Sequence, residues 1–216
     1  MRFKRFLSCL GVLAFILSLP RVAAKQLAGH PAADWSKTLE ADNRVSSLKI
    51  DEIVAKLQLK PGETIADIGA GPGLFEVQLA KAVSPYGKVY AEDIDAGFFP
   101  EIKKKAMEAY VNNVETVLGQ YTDPNLPAKN LDVVFFHDVL HHIQDRAGYL
   151  KTVTRYLKGS GRIVVIDFEA GQSPHKDQPD LQVSRQQLAM WAKDAGLKQV
   201  EDVKMFPDKY FLVYSK

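Results

Sequence analysis

The sequence predicts an α/β protein: a doubly wound, mostly parallel seven-stranded sheet with helices on both faces and a C-terminal antiparallel hairpin. Three observations predict it. Residues 65–73, Ile-Ala-Asp-Ile-Gly-Ala-Gly-Pro-Gly, read as an apolar strand running into a glycine-alternating turn, and Phe75, Leu79 and Val83 then recur at helical spacing. Strand-like and helix-like segments alternate from there to about residue 195. Two final strand-like runs flank Pro207-Asp208, as a hairpin does.

In chain order, residues 25–43 carry Gly29, Pro31 and a single Trp35, and read as an irregular arm or short helix. Ile50, Ile53, Val54 and Leu57 form a helical stripe that stops before Pro61-Gly62. Strands are expected at 63–68, 88–93, 114–118, 132–136, 162–168, 198–205 and 209–215, and helices at 73–83, 98–111, 145–157 and 184–195. The runs Val133-Val-Phe-Phe136 and Ile163-Val-Val-Ile166 are apolar without alternation, as strands covered on both faces should be.

The glycine turn carries the chemistry. Gly69, Gly71 and Gly73 have no Cβ, so the chain can turn tightly and a ligand can lie against main-chain N–H groups. A dinucleotide fold requires G-x-G-x-x-G, but the third position is Leu74, and Asp67 stands at the strand tip where it would repel a pyrophosphate and attract an ammonium. A second strand, Lys88-Val-Tyr-Ala-Glu-Asp-Ile94, ends in acids about twenty residues on, the distance at which a carboxylate reaches ribose hydroxyls. Asp93 is the better placed of the two acids, with Glu92 facing away.

Asp-x-Gly-x-Gly-x-Gly followed by that acidic strand resembles motif I and the ribose acid of class I S-adenosylmethionine (SAM) dependent methyltransferases, in particular the type 11 group that includes the ubiquinone and menaquinone methyltransferases. The resemblance runs from about Ile50 to Tyr214. It implies the class I methyltransferase fold, SAM as cofactor, and a site in which Asp67, Gly69, Ala70, Gly71 and Gly73 hold the methionine part, Asp93 the ribose, and Ile94, Gln120 and Tyr121 the adenine. One departure stands out: the group carries a Gly-Asp pair after the third strand, whereas Gly119 here is followed by Gln120, which offers a carbonyl to the adenine amine.

At 216 residues with 46% hydrophobic content, the chain suits one domain with an ample core. Its start differs in kind. Arg2, Lys4 and Arg5 precede an apolar run from Phe6 to Leu19, then Pro20 and Val22-Ala-Ala24. That order reads as a secretory signal peptide over residues 1–24, cleaved after Ala24, which implies an exported, periplasmic or secreted protein; an uncleaved membrane anchor is the alternative. The expected organisation is thus a signal peptide at 1–24, an arm at 25–45 and a SAM-binding domain at 46–216. Taking Arg2, Lys4, Arg5 and Arg21 from the 28 Lys and Arg leaves 24 against 26 Asp and Glu, a formal charge of −2. No basic stripe marks a nucleic-acid partner, and the single cysteine, Cys9, lies in the leader, so no thiol nucleophile or disulfide is expected in the mature chain.

Three of the five histidines gather in His137-Asp-Val-Leu-His-His142, after the fourth strand, where cofactor and substrate would meet. His137, Asp138 and His141 are the catalytic candidates, since imidazole titrates near working pH and can take a proton from an acceptor. Two other readings stand beside this one. In one the loop is held by structural hydrogen bonds, His142 above all; in the other His137 and His141, four apart and sharing a face if helical, ligate a metal with Asp138. No metal is assigned on the sequence. Asp167 and Glu169 follow the fifth strand toward the same edge, His175 sits in a polar substrate-side loop, and Asn43 and Arg44 could close over the cofactor carboxylate.

These readings converge on transfer of a methyl group from SAM to a small-molecule acceptor. An exported binding protein of the same fold without chemistry is the alternative, because SAM is made in the cytoplasm. An NAD-dependent oxidoreductase is disfavoured by Leu74 and Asp67.

Overall fold

A computed structural model describes residues 32–216, with the side chains of 32–35 and 42–44 left aside. The expected signal peptide, its cleavage site and residues 25–31 of the arm therefore lie outside the described residues, as do the side chains of Trp35, Asn43 and Arg44.

Seven strands form one sheet in the order β3-β2-β1-β4-β5-β7-β6. They are β1 (Thr64–Ile68), β2 (Lys88–Asp93), β3 (Val114–Leu118), β4 (Leu131–His137), β5 (Leu157–Phe168), β6 (Lys198–Asp202) and β7 (Lys209–Ser215). β1 to β5 pair in parallel, and β7 inserts antiparallel between β5 and β6. This is the doubly wound sheet with a closing antiparallel hairpin that the sequence predicts. The helices are α1 (Ala32–Leu39), α2 (Asp42–Leu48), α3 (Ile50–Lys56), α4 (Glu76–Ala82), α5 (Phe99–Glu108), α6 (Arg146–Val153) and α7 (Arg185–Asp194).

The non-alternating runs are buried on both faces, as parallel central strands must be. Along β4, Val133 and Phe135 join Ile65, Leu79 and Val164 in one apolar cluster, while Val134 and Phe136 join Ala66, Leu150 and Leu188 in another across the sheet. β6 is the contrast: every residue in it is exposed, and Lys198, Glu201 and Asp202 keep that edge charged against pairing with other chains.

Several element boundaries differ from those expected. The helix expected at 73–83 starts only at Glu76, because Gly69, Gly71 and Gly73 all take positive φ (73°, 54° and 81°) and prolong the turn. The helix expected at 145–157 ends at Val153, and β5 begins at Leu157 rather than 162. The chain stays extended through Gly159 and Gly161, with a register irregularity between Leu131 and Val133 absorbing the extra residues. β6 stops at Asp202, three residues early. The described part of the arm, from residue 32, is largely helical: α1 and α2 occupy it, and α2 runs past the boundary expected at residue 45.

The strand order reverses between β1 and β4, with β2 and β3 to one side and β5 to the other. In open α/β sheets the crevice beyond the carboxyl ends at such a reversal is where ligands bind. Among the described residues, no helix is long and apolar enough to cross a membrane.

Candidate active site

A cavity of about 550 Å³ opens at that reversal, within the usual range for small-molecule sites. Of the nine cofactor residues that the resemblance implies and the three catalytic candidates, eleven line it: Asp67, Gly69, Ala70, Gly71, Asp93, Ile94, Gln120, Tyr121, His137, Asp138 and His141. Gly73 does not. A Cβ there would lie 2.9 Å from Ile102 Cγ1, so Gly73 lets the turn pack against α5 rather than against a ligand.

The glycine turn is fastened to β2. Gly71 N–H donates to Asp93 Oδ2 at 2.9 Å, Asp95 N–H donates to Asp93 Oδ1 at 2.9 Å, and Gly69 N–H donates to the Glu92 main-chain oxygen at 2.9 Å. Glu92 does not face away: it lines the cavity, and its Oε2 accepts from Gly69 N–H at 3.3 Å. Gly119 makes this possible, since a Cβ there would fall 1.5 Å from Glu92 Oε1.

Asp67 is 2% exposed and shares a hydrogen bond with Glu76, whose Oε2 also accepts from Phe75 N–H at 3.1 Å. Burial raises the pKa of Asp67, Glu76, Glu92 and Asp93, and for Asp67 the neighbouring carboxyls push the same way. The wall is therefore short of positive charge. Asp67 lines the cavity with its carboxyl hydrogen-bonded to Glu76.

A carboxyl whose folded pKa is raised adds stability that is complete below its unfolded pKa, near 4, and lost as pH rises through the folded pKa. Asp67→Asn, whose amide still donates to Glu76, removes that loss. The melting temperature of the variant minus that of wild type is expected to grow as pH is raised from about 5 to about 8. A pH-independent difference in thermal denaturation would show that Asp67 is ionised throughout.

Gln120 and Tyr121 form an exposed rim, with Gln120 bridged to Asp123 through 2.8 Å and 3.3 Å main-chain bonds, and Ile94 is 38% exposed beside them. On the opposite side the histidine loop does not form the helix that would place His137 and His141 on one face. His137 ends β4, Asp138 takes φ 54°, and His141 lies in a 3-10 turn, Leu140–His142. His137 packs its ring 4.9 Å from that of Phe75. Asp138 Oδ2 lies 2.7 Å from Lys209 Nζ, so it serves as a buried counter-ion rather than an open base.

His141 is bound to the end of β5. Its Nδ1 stands 2.7 Å from Asp167 Oδ1, and its main-chain N–H donates to Asp167 Oδ2 at 3.1 Å. With Asp167 1% exposed, this pairing fixes the ring and turns Nε2 outward. Glu169 instead pairs with Arg185, whose Nη2 is 2.6 Å away, and takes no part in the cavity. His142 is pushed down to about 3 by burial and by the His141 and His175 charges, so it is neutral at working pH. Sequence reasoning missed Phe75, Phe98, Val139 and Tyr149, apolar or aromatic lining that carries no motif, and Leu39, which brings the end of α1 onto the cavity.

SAM fits this set of residues. Gly71 leaves its Cβ position open, with only Leu39 Cδ1 at 3.5 Å among the described atoms. Glu92 Oε1 is buried with no hydrogen-bond partner among the described residues, in the space left by the missing side chain of Gly119. A wall of acids suits a cofactor that carries an ammonium and a sulfonium better than one that carries phosphates.

Comparison with known proteins agrees. Residues 66–165 match the family model described as "Methyltransferase domain". An uncharacterised 37.1 kDa protein of a Streptomyces fradiae transposon is 31% identical over 180 residues, 76% of this chain and 50% of that protein. The ubiquinone/menaquinone biosynthesis C-methyltransferase of Hahella chejuensis is 25% identical over 56% of this chain and 49% of its own length. Phosphoethanolamine N-methyltransferase 1 of Arabidopsis thaliana is 26% identical over 54% and 23%. The chain thus spans half or less of the length of these curated relatives. In structure, a SAM-dependent methyltransferase from Aquifex aeolicus superposes with a TM-score of 0.75 at 22% identity, covering 84% of this chain and 97% of that one. The fold is the class I methyltransferase fold.

Proposed function

We propose that this chain, which carries a class I methyltransferase domain, transfers the methyl group of SAM to a small-molecule acceptor. The observation that carries the reading is a single cavity that joins the Gly69–Gly71 turn and Asp93 on one side to the His137–His142 loop on the other. SAM supplies an electrophilic methyl on a sulfonium. The chain's own task is to hold the cofactor, present an acceptor in line and exclude water, and alignment of this kind is worth about 7 kcal/mol or more.

Asp93 is offered for the ribose hydroxyls, with Gly71 N–H already fixing its carboxylate, and Glu92 Oε1 adds an acceptor beside it. Gln120 and Tyr121 are offered for the adenine at the rim. His141, oriented by Asp167, is the group best placed to receive a proton from an acceptor, ahead of His137 and Asp138. The small-molecule acceptor is supported by the size of the cavity and by the absence of a basic stripe in the sequence.

Calorimetric titration with SAM, S-adenosylhomocysteine and NAD tests the reading. The first two are expected to bind and NAD is not. Asp93→Ala should weaken SAM by about 1 to 3 kcal/mol, the scale for a hydrogen bond to a charged group. Selective binding of NAD, or unchanged SAM affinity in Asp93→Ala, would refute it.

A further inference from the structure

The histidine loop meets a histidine that is distant in sequence. His175 lies in the segment after β5, and its ring centroid stands 5.5 Å from that of His141 and 5.2 Å from that of His142, which are themselves 4.0 Å apart. One ring nitrogen from each of the three falls within 4.8 Å of the others. We propose that His141, His142 and His175 form a three-imidazole site for a divalent transition metal of the zinc class, on the acceptor side of the cavity.

The surroundings are those of a built ligand set. Asp167 accepts from His141 Nδ1 at 2.7 Å and so leaves Nε2 for a metal; a carboxylate behind a ligating histidine commonly fixes its tautomer and raises its basicity. The loop that presents His175 is tied at several points. His175 N–H donates to Ser173 Oγ at 2.9 Å, Ser173 is 4% exposed, and Gln182 Nε2 donates to the His175 main-chain oxygen at 2.7 Å. All three histidines also line the cavity proposed for methyl transfer.

Three imidazoles and no thiolate suit Zn²⁺ and its transition-metal neighbours over Mg²⁺ or Ca²⁺, which take oxygen ligands. Three protein ligands leave a fourth position, the arrangement of catalytic rather than structural zinc. Resting on the function proposed above, that position is assigned to the hydroxyl or thiol of the acceptor. With the metal on its Nε2, His141 serves as a ligand in place of the proton acceptor named above: a ligated O–H or S–H gives its proton to solvent more readily, and the resulting anion is the stronger nucleophile. His137 lies outside the cluster, so the metal reading of the sequence is replaced in its membership.

The test uses the full chain, stripped of metal by chelator dialysis and titrated calorimetrically with ZnCl₂, with CoCl₂ added in parallel to read the visible spectrum. One Zn²⁺ per chain and a cobalt spectrum of imidazole ligation are expected. His175→Ala and His142→Gln should each weaken zinc at least about tenfold, Asp167→Asn about 10- to 100-fold, and His137→Ala should not weaken it. Circular dichroism on each variant confirms folding, and His175, on a surface loop, is the variant least able to disturb it. No zinc uptake by wild type, or wild-type zinc affinity in folded His175→Ala, overturns the site. SAM is titrated on the same samples: zinc bound without SAM upholds the metal site and refutes the methyltransferase reading, so the two fail separately.

Discussion

Gly71→Val is expected to abolish SAM binding, by a factor of about 100 or more, while the protein remains folded. Gly71 adopts φ 54°, and its N–H holds Asp93 Oδ2 at 2.9 Å. The only described atom that a Cβ would meet is Leu39 Cδ1 at 3.5 Å, an ordinary contact, so the branched side chain would occupy the cavity rather than the core. A β-branched residue at positive φ costs about 1 to 3 kcal/mol. For a chain of this size that is a fall of several degrees in melting temperature, not loss of the fold. A hundredfold loss of affinity is about 2.7 kcal/mol, which two methyl groups in place of a ligand contact readily exceed. The neighbouring glycines make poorer tests. A Cβ on Gly69 would lie 2.3 Å from Val139 Cγ2 and one on Gly119 only 1.5 Å from Glu92 Oε1, so either change disturbs the protein itself. Calorimetry with SAM and a thermal melt on Gly71→Val decide the matter: unchanged affinity would place the ligand away from this turn.

Much of this was legible in the sequence because local pattern and tertiary role coincide there. Doubly buried β4 and β5 read as unbroken apolar runs, and the Gly69–Gly71 turn between β1 and Asp93 could be assigned from spacing alone. The errors fall where one residue type serves two physical ends. A glycine can make room for a ligand or for a helix, and Gly73 makes room for Ile102. Strand alternation placed Glu92 opposite Asp93, but the missing side chain of Gly119 gives its carboxylate space to reach Gly69. Gly159 and Gly161 resemble turn residues yet lie within β5. The joining of His175 to His141 and His142 left no signal, since their separation in sequence has no period and only the course of the chain after β5 brings them together. The pairing of Asp138 with Lys209, 71 residues apart, was invisible for the same reason.

That pair carries the largest stability effect expected of a single side chain here. Lys209 Nζ lies 2.7 Å from Asp138 Oδ2, with the two side chains 9% and 10% exposed. The ammonium also stands 4.5 Å from the centre of the Phe168 ring. Removing one member of a buried pair leaves the other charge in a poorly solvated place and costs about 3 to 5 kcal/mol, whereas exposed pairs contribute about 1 kcal/mol at most. Lys209→Met keeps the aliphatic stem and removes the charge, so the melting temperature should fall by roughly 6 to 20 °C. Lys204→Met, which breaks the pair to Asp202 with Lys204 76% exposed, serves as the solvated comparison and should change it by no more than a few degrees. Combining Lys209→Met with Asp138→Asn removes the buried carboxylate too, and most of the loss should return, a coupling that an unrelated packing defect would not show. If Lys209→Met melts no lower than Lys204→Met, the pair is solvated and contributes little. The expected result also bears on the site, because Asp138 lies two residues before the turn, Leu140–His142, that carries His141 and His142. The ion pair ties that turn to the start of β7, so the closing hairpin helps to position the histidines facing the glycine turn.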